Sequence, residues 1–255
     1  MSEDGEREVA KVPGREPAAT PLPKRFYAVV SVGDAPNGGY QILLDGKPVR
    51  TPKKLPLTVP TRALAEAVAE EWAAQTERID PKTMPLSKLA ITAIDGVAGS
   101  MADVAADIVR FAGSDLLCYR AEAPAALAEQ QAKAWDPVLA WIEGETDARF
   151  LLAEGVMPVT QSRFALERIG DLVAPFSAMQ LAPLHVMTTL TGSAFLALAV
   201  AKARLSAEAA WEAAHIDEDW QIARWGVDVE AAERRARRRS EMLAASRFLE
   251  LVAAD

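Results

Sequence analysis

Only one cysteine occurs in the chain, Cys118, so no disulfide can close within it and a reducing compartment suits it. With it stand only two histidines, His185 and His215, too few for a zinc cluster of the Cys/His kind. No metal or cofactor is expected. A P-loop is missing as well, because Gln41 occupies the place where its first glycine would precede Lys47. Neither a G-x-S-x-G elbow nor a G-x-G-x-x-G turn after a strand is present. An excess of basic charge is also lacking: the net charge of −8 disfavours nucleic acid as the main partner. Residues 1–23 hold no apolar run and mix acids with bases, unlike a signal or transit peptide, so a disordered tail is expected over 1–24. The one long uncharged run, residues 181–201, carries Pro183, His185, Gly192 and Ser193. It reads as a buried core helix starting near Pro183, without membrane insertion. These absences point to a soluble, intracellular chain.

What is present is ordinary globular material, 50% hydrophobic and 25% charged, and 255 residues can bury a real core in one or two domains. Residues 25–32, 40–44, 47–50 and 55–59 alternate or run β-branched, with Asp45-Gly46 as a tight hairpin signal and Pro48 marking an edge. From Thr61 the period changes to 3.6. Leu64, Val68 and Glu71 share one helical face, and Trp72 at its rim reads as an anchor between sheet and helices. A short helix over 86–94 ends at Asp95-Gly96. Further helices are expected around Trp135, with a bend at Pro137, and over 161–173, 183–204, 207–225 and 229–253. The expected fold class is α+β: a small antiparallel β-rich domain over 25–96, then a larger all-helical domain over 97–255.

Residues 207–226 read as one helix between Ser206 as N-cap and Gly226 as stop. On it Trp211, His215, Glu218, Ile222 and Trp225 fall in a stripe about 80° wide, with a second apolar side opposite. Apolar residues on both sides predict a central, buried helix, and Glu218 then lies among tryptophans. It either pairs internally with His215 or waits at a surface for another molecule. An acid–base pair of His215 with Glu218 or Asp219 is the enzymatic alternative. Cys118 reads as a buried structural thiol. Arg234, Arg235, Arg237, Arg238 and Arg239 form the main basic cluster. It reads as a solvated face, then as a protein-docking surface, and last as a nucleic-acid contact.

Four blocks of the sequence, taken together, resemble a known family. They are AEEWAAQ at 69–75, MPLSKLAITAID at 84–95, DLLCYR at 115–120 followed by WDP at 135–137, and IDEDWQIARWG at 216–226. The combination is similar to the F1-ATP synthase assembly chaperones that act on the alpha subunit. The resemblance implies a non-enzymatic, two-domain chaperone that shields the interface of an unassembled alpha subunit and leaves on assembly. It carries a client-binding role to Glu218, Gln221 and Trp225, and also to Asp217 and Trp220. Trp72, Asp115, Arg120, Trp135 and Asp136 match family positions where folding explains the residue equally well. A monomer in a bacterial cytoplasm is expected, or in a mitochondrial matrix if the source is eukaryotic. The chain departs from the family after Gly226, where arginines replace a more acidic and aromatic pattern.

Overall fold

Strand β2 (Tyr40–Leu44) is the centre of a small antiparallel sheet. A computed structural model describes residues 21–155 and 158–254. Most of the expected tail, residues 1–20, lies outside the described residues. β1 (Val30–Asp34) pairs along one side of β2, from Val30 opposite Leu44 to Asp34 opposite Tyr40. The short strands β3 (Lys47–Pro48) and β4 (Thr58–Val59) share the other side. Asp45 and Gly46 both take positive φ, as a tight β2–β3 turn requires. β1 starts later than expected because the chain before it is held from elsewhere. The Asp45 carboxylate accepts from the Val29 N–H at 2.8 Å and the Ala28 N–H at 3.1 Å. Those bonds hold its pKa below the ordinary value.

Helix α1 (Arg62–Ala73) covers the sheet face carrying Ile42 and Leu44, and is capped by the Thr61 hydroxyl. The same hydroxyl donates to the Leu251 carbonyl at 2.6 Å, tying the front of the chain to its last helix. Trp72 lies near the end of α1 with its ring centroid 5.8 Å from that of Tyr27, and its carbonyl accepts from the Tyr27 hydroxyl at 2.7 Å. Glu71 caps the next helix, α2 (Pro85–Asp95), whose Leu86 and Ser87 N–H groups donate to it at 2.7 and 2.8 Å. Burial raises the pKa of this carboxyl, against those bonds.

The remaining elements are α3 (Met101–Gly113), β5 (Tyr119–Arg120), α4 (Ala125–Thr146), β6 (Ala153–Glu154) and α5 (Arg163–Val173). After them come α6 (Ala178–Thr191), α7 (Ala194–Ala201), α8 (Ala207–Ala214), α9 (Ile216–Trp225) and α10 (Val229–Ala253). The fold is α+β, a sheet in front and helices behind. α6 is the hub, packed against α2, α3, α7 and α10. Among the described residues no single helix is long and apolar enough to cross a membrane.

Three helical expectations need correction. Pro137 does not restart the helix: α4 runs through it as one element. Pro137 lies on the exposed side, while Trp135, Val138 and Leu139 are buried and hold both halves in place. The helix expected over 183–204 is two helices, because Gly192 takes left-handed φ and Ser193 caps α7 anew. Pro183 lies inside α6, whose capping box is Ser177 with Gln180. Finally, the helix expected over 207–225 breaks at His215, whose φ of −116° and ψ of 19° are not helical.

Candidate functional site

The break at His215 determines the site. The His215 ring turns back to lie 3.8 Å from the Trp211 ring, and its Nδ1 sits 2.8 Å from the Trp211 carbonyl. That carbonyl is an acceptor, so Nδ1 carries the hydrogen and Nε2 is bare in the neutral ring. Burial pushes the His215 pKa below its ordinary value, the Trp211 carbonyl opposing. Nε2 is 3.9 Å from Glu218 Oε2, within ion-pair distance but beyond hydrogen-bond reach, so the two are not the hydrogen-bonded pair that the enzymatic alternative needs.

Beyond the break α9 leaves the core. It has no fully buried residue, so the central, doubly buried helix expected here is replaced by a peripheral one. With the first half of α10 it makes a helical hairpin through Gly226, which takes positive φ, and Asp228, whose carboxylate caps α10. Asp217, Glu218 and Asp219 occupy the first turn of α9, where the helix N-terminus favours acids. Arg235 on α10 reaches back to them, 2.5 Å from Asp219 and 3.7 Å from Glu218.

Between the two helices runs a groove of about 710 Å³. Glu218, Gln221 and Trp225 line it together, facing Arg235 and Arg239. The Glu218 side chain is 41% exposed and Trp225 is 86% exposed. Glu218 is therefore not entombed among indoles, and no burial penalty demands an internal partner. Val227 and Val229, both exposed, extend the apolar tip of the hairpin. The sequence does not mark those two valines as site residues, whereas Arg235 belongs to the basic cluster for which a protein-docking surface is the second reading. The only signal was two β-branched residues beside a helix cap, and sequence does not show exposure.

The structure does not bring Asp217 or Trp220 into the groove. Asp217 accepts from Gln131 Nε2 at 2.6 Å, and the half-buried Trp220 is stacked under Arg224, 3.4 Å from its ring centroid. Trp72 stands apart in the front of the molecule. Arg120, Trp135 and Asp136 gather instead beneath α8 and α9. Arg120 pairs with Asp136 at 2.8 Å and lies over the Trp135 ring, whose Nε1–H donates to the Ala213 carbonyl at 2.7 Å. Gln131 completes this base, accepting from the Ala121 N–H at 2.8 Å while holding Asp217.

Asp115 is fully buried one layer deeper. It accepts from the Ser193 hydroxyl at 2.7 Å and from the Leu117 and Phe195 N–H groups at 3.1 Å, fixing the start of α7. Burial pushes its pKa from 3.8 up to about 7, against those bonds. Cys118 is buried, its thiol pushed up to about 12 chiefly by burial, so it is inert at neutral pH. A folded pKa above the unfolded one means that the contribution of Asp115 is full below pH 3.8 and is lost as pH rises through about 7. Asp115→Asn cannot titrate. The stability advantage of the wild type over it is expected to be larger at about pH 5 than at about pH 8, as urea unfolding would measure.

Most of the basic cluster is already engaged. Arg234 pairs with Glu230 at 2.6 Å, Arg237 approaches Glu233 at 3.9 Å, and Arg238 donates to the Leu190 carbonyl at 2.8 Å. That arrangement fits a solvated, internally compensated face.

The family model described as "ATP12 chaperone protein" matches residues 24–143. The crystal structure of Atp12 from Paracoccus denitrificans is 42% identical in sequence, with a TM-score of 0.85 over 90% of this chain and 98% of that one. The Atu1473 protein of Agrobacterium tumefaciens is 52% identical with a TM-score of 0.87, over 90% and 86% of the two chains. Protein atp12, mitochondrial, of Schizosaccharomyces pombe is 24% identical over 232 residues, 85% of this chain and 79% of that protein. Relatives are thus both bacterial and mitochondrial. The chain belongs to the ATP12 chaperone family, so it is a chaperone of ATP synthase assembly and not an enzyme.

Proposed function

We propose that the chain binds the unassembled alpha subunit of the F1 sector and shields the surface that later meets beta subunits, gripping it in the groove between α9 and α10. The observation that carries this reading is Trp225, an indole 86% exposed at the tip of a hairpin, with exposed Val227 and Val229 beside it. A contiguous apolar cluster rimmed by charges marks an interaction surface, and tryptophan is the side chain most often dominant in one. Glu218 and Gln221 supply polar contacts on the same wall, where a client group finds a carboxylate already half out of water. Binding masks the client interface without a nucleotide cycle.

Trp225→Ala tests this. Because the side chain is exposed and makes no contact with the buried core, the melting temperature is expected to stay within about 2 °C of wild type. Affinity for purified alpha subunit, by titration calorimetry, is expected to fall roughly 30-fold, the loss of one dominant contact. Unchanged affinity would remove the groove from the account.

A further inference from the structure

The two edges of the front sheet are finished differently. On the far side of β2 the edge runs through Pro48, which has no N–H to offer, and an isolated bridge between Arg50 and Pro56 follows. β1 at the other edge reads Val30-Ser31-Val32-Gly33, with neither proline nor charge until Asp34. Its hydrogen-bond phase follows from two bonds in one register: the Asp45 N–H donates to the Val29 carbonyl, and the Ala35 N–H to the Gly39 carbonyl. Bonded and non-bonded pairs alternate in an antiparallel ladder, so 29, 31, 33 and 35 face β2. The N–H and C=O groups of Val30 and Val32 therefore point outward, and no described residue takes them.

Beside this edge a groove of about 400 Å³ separates β1 from α1. Its helical wall is one stripe of α1, namely Arg62, Glu66, Ala69, Glu70 and Ala73. Arg62 is taken by Glu66 at 2.9 Å and lies near the Tyr40 ring. Glu70 has no ion partner among the described residues. A natural β-edge without proline, bulge or lysine is a template for another strand.

We propose that β1 accepts an extended segment of the client as an added strand. Such a strand lies about 4.8 Å away, within reach of both outward donors and both outward acceptors. Residues opposite Val30 and Val32 share the face of those valines and come beneath the α1 stripe. There Ala69 and Ala73 admit apolar side chains, and Glu70 meets a lysine or arginine. The occupant is thus an extended, alternating segment carrying a basic residue. That it belongs to the alpha subunit rests on the client reading above; the edge chemistry does not.

The test uses residue-resolved amide exchange on the full chain with two probes: a peptide of about ten residues alternating valine and lysine, and purified alpha subunit. Either probe is expected to slow exchange at Val30 and Val32 about tenfold, leaving Ser31 and Gly33 as slow as in the free protein. Val32→Pro removes an N–H that the β1–β2 ladder does not use, so the sheet should survive while peptide affinity falls roughly tenfold. Should that variant unfold, exchange in the wild type still decides. If the peptide leaves Val30 and Val32 unchanged, the proposal is overturned. If alpha subunit protects α9 and α10 but not Val30 and Val32, the proposal is overturned and the groove reading stands. If alpha subunit protects nothing while the peptide protects the edge, the groove reading falls and strand addition is supported.

Discussion

Replacing Trp135 by alanine is expected to lower the unfolding free energy by about 3–5 kcal/mol, the range for emptying a fully packed indole site. Trp135 is 1% exposed, and three supports leave with it. Its ring fills the space between α4 and α8, its Nε1–H satisfies the Ala213 carbonyl, and its face carries the Arg120 guanidinium 5.2 Å from the centroid. Arg120 is itself nearly buried and held by Asp136 and the Leu117 carbonyl, so losing the ring strands a charge with fewer neighbours. Ala213 is two residues before His215, so the damage spreads to the joint from which α9 departs. Trp135→Phe retains most of the volume and leaves one carbonyl unpaired, which costs about 1–2 kcal/mol. Urea unfolding of both variants separates volume from hydrogen bond. A loss below about 1 kcal/mol for the alanine variant would mean that the α4–α8 contact does not support the joint.

Glu218→Lys is expected to abolish capture of alpha subunit while leaving the chaperone folded. Glu218 is half in water, its contact to Arg235 is long, and Arg235 keeps the closer Asp219 when Glu218 is gone. A surface pair of this kind contributes about 1 kcal/mol or less, and a lysine in the first turn of α9 opposes the helix dipole by a similar amount. Melting should therefore move by only a few degrees. Client binding reads a different quantity. A reversed charge on the groove wall turns an attraction into a repulsion in a surface drying as it closes, on the order of a hundredfold or more in affinity. A loss of several kcal/mol in stability would instead make Glu218 a structural residue.

Much of the architecture was legible because it rests on local rules. Thr61, Ser206 and Asp228 cap the helices that their side chains predict, and Asp45-Gly46 makes the tight turn its type requires. The misjudged places are those where a distant partner overrides the local signal. Pro137 is tolerated because buried neighbours hold both sides of it. The continuous period over 207–225 concealed a joint, because His215 prefers the carbonyl and ring of Trp211 to a helical turn. A helical wheel drawn across the joint puts the second half on the core side, whereas α9 has no fully buried residue. Glu218, Gln221 and Trp225 still share one groove, since all three lie beyond the joint on one helix. Asp217 and Trp220 point elsewhere on that same helix, which a list of family positions does not separate. Val227, Val229 and Arg235 enter the site through the turn into α10, and no helical period links them to α9.

The most direct measurement places a photo-crosslinking side chain at Gln221, inside the groove and free of any structural bond among the described residues. On irradiating the chaperone with separately purified alpha and beta subunits, a crosslink to alpha and none to beta is the result predicted here. A stable complex with alpha that gives no crosslink from this position would contradict it.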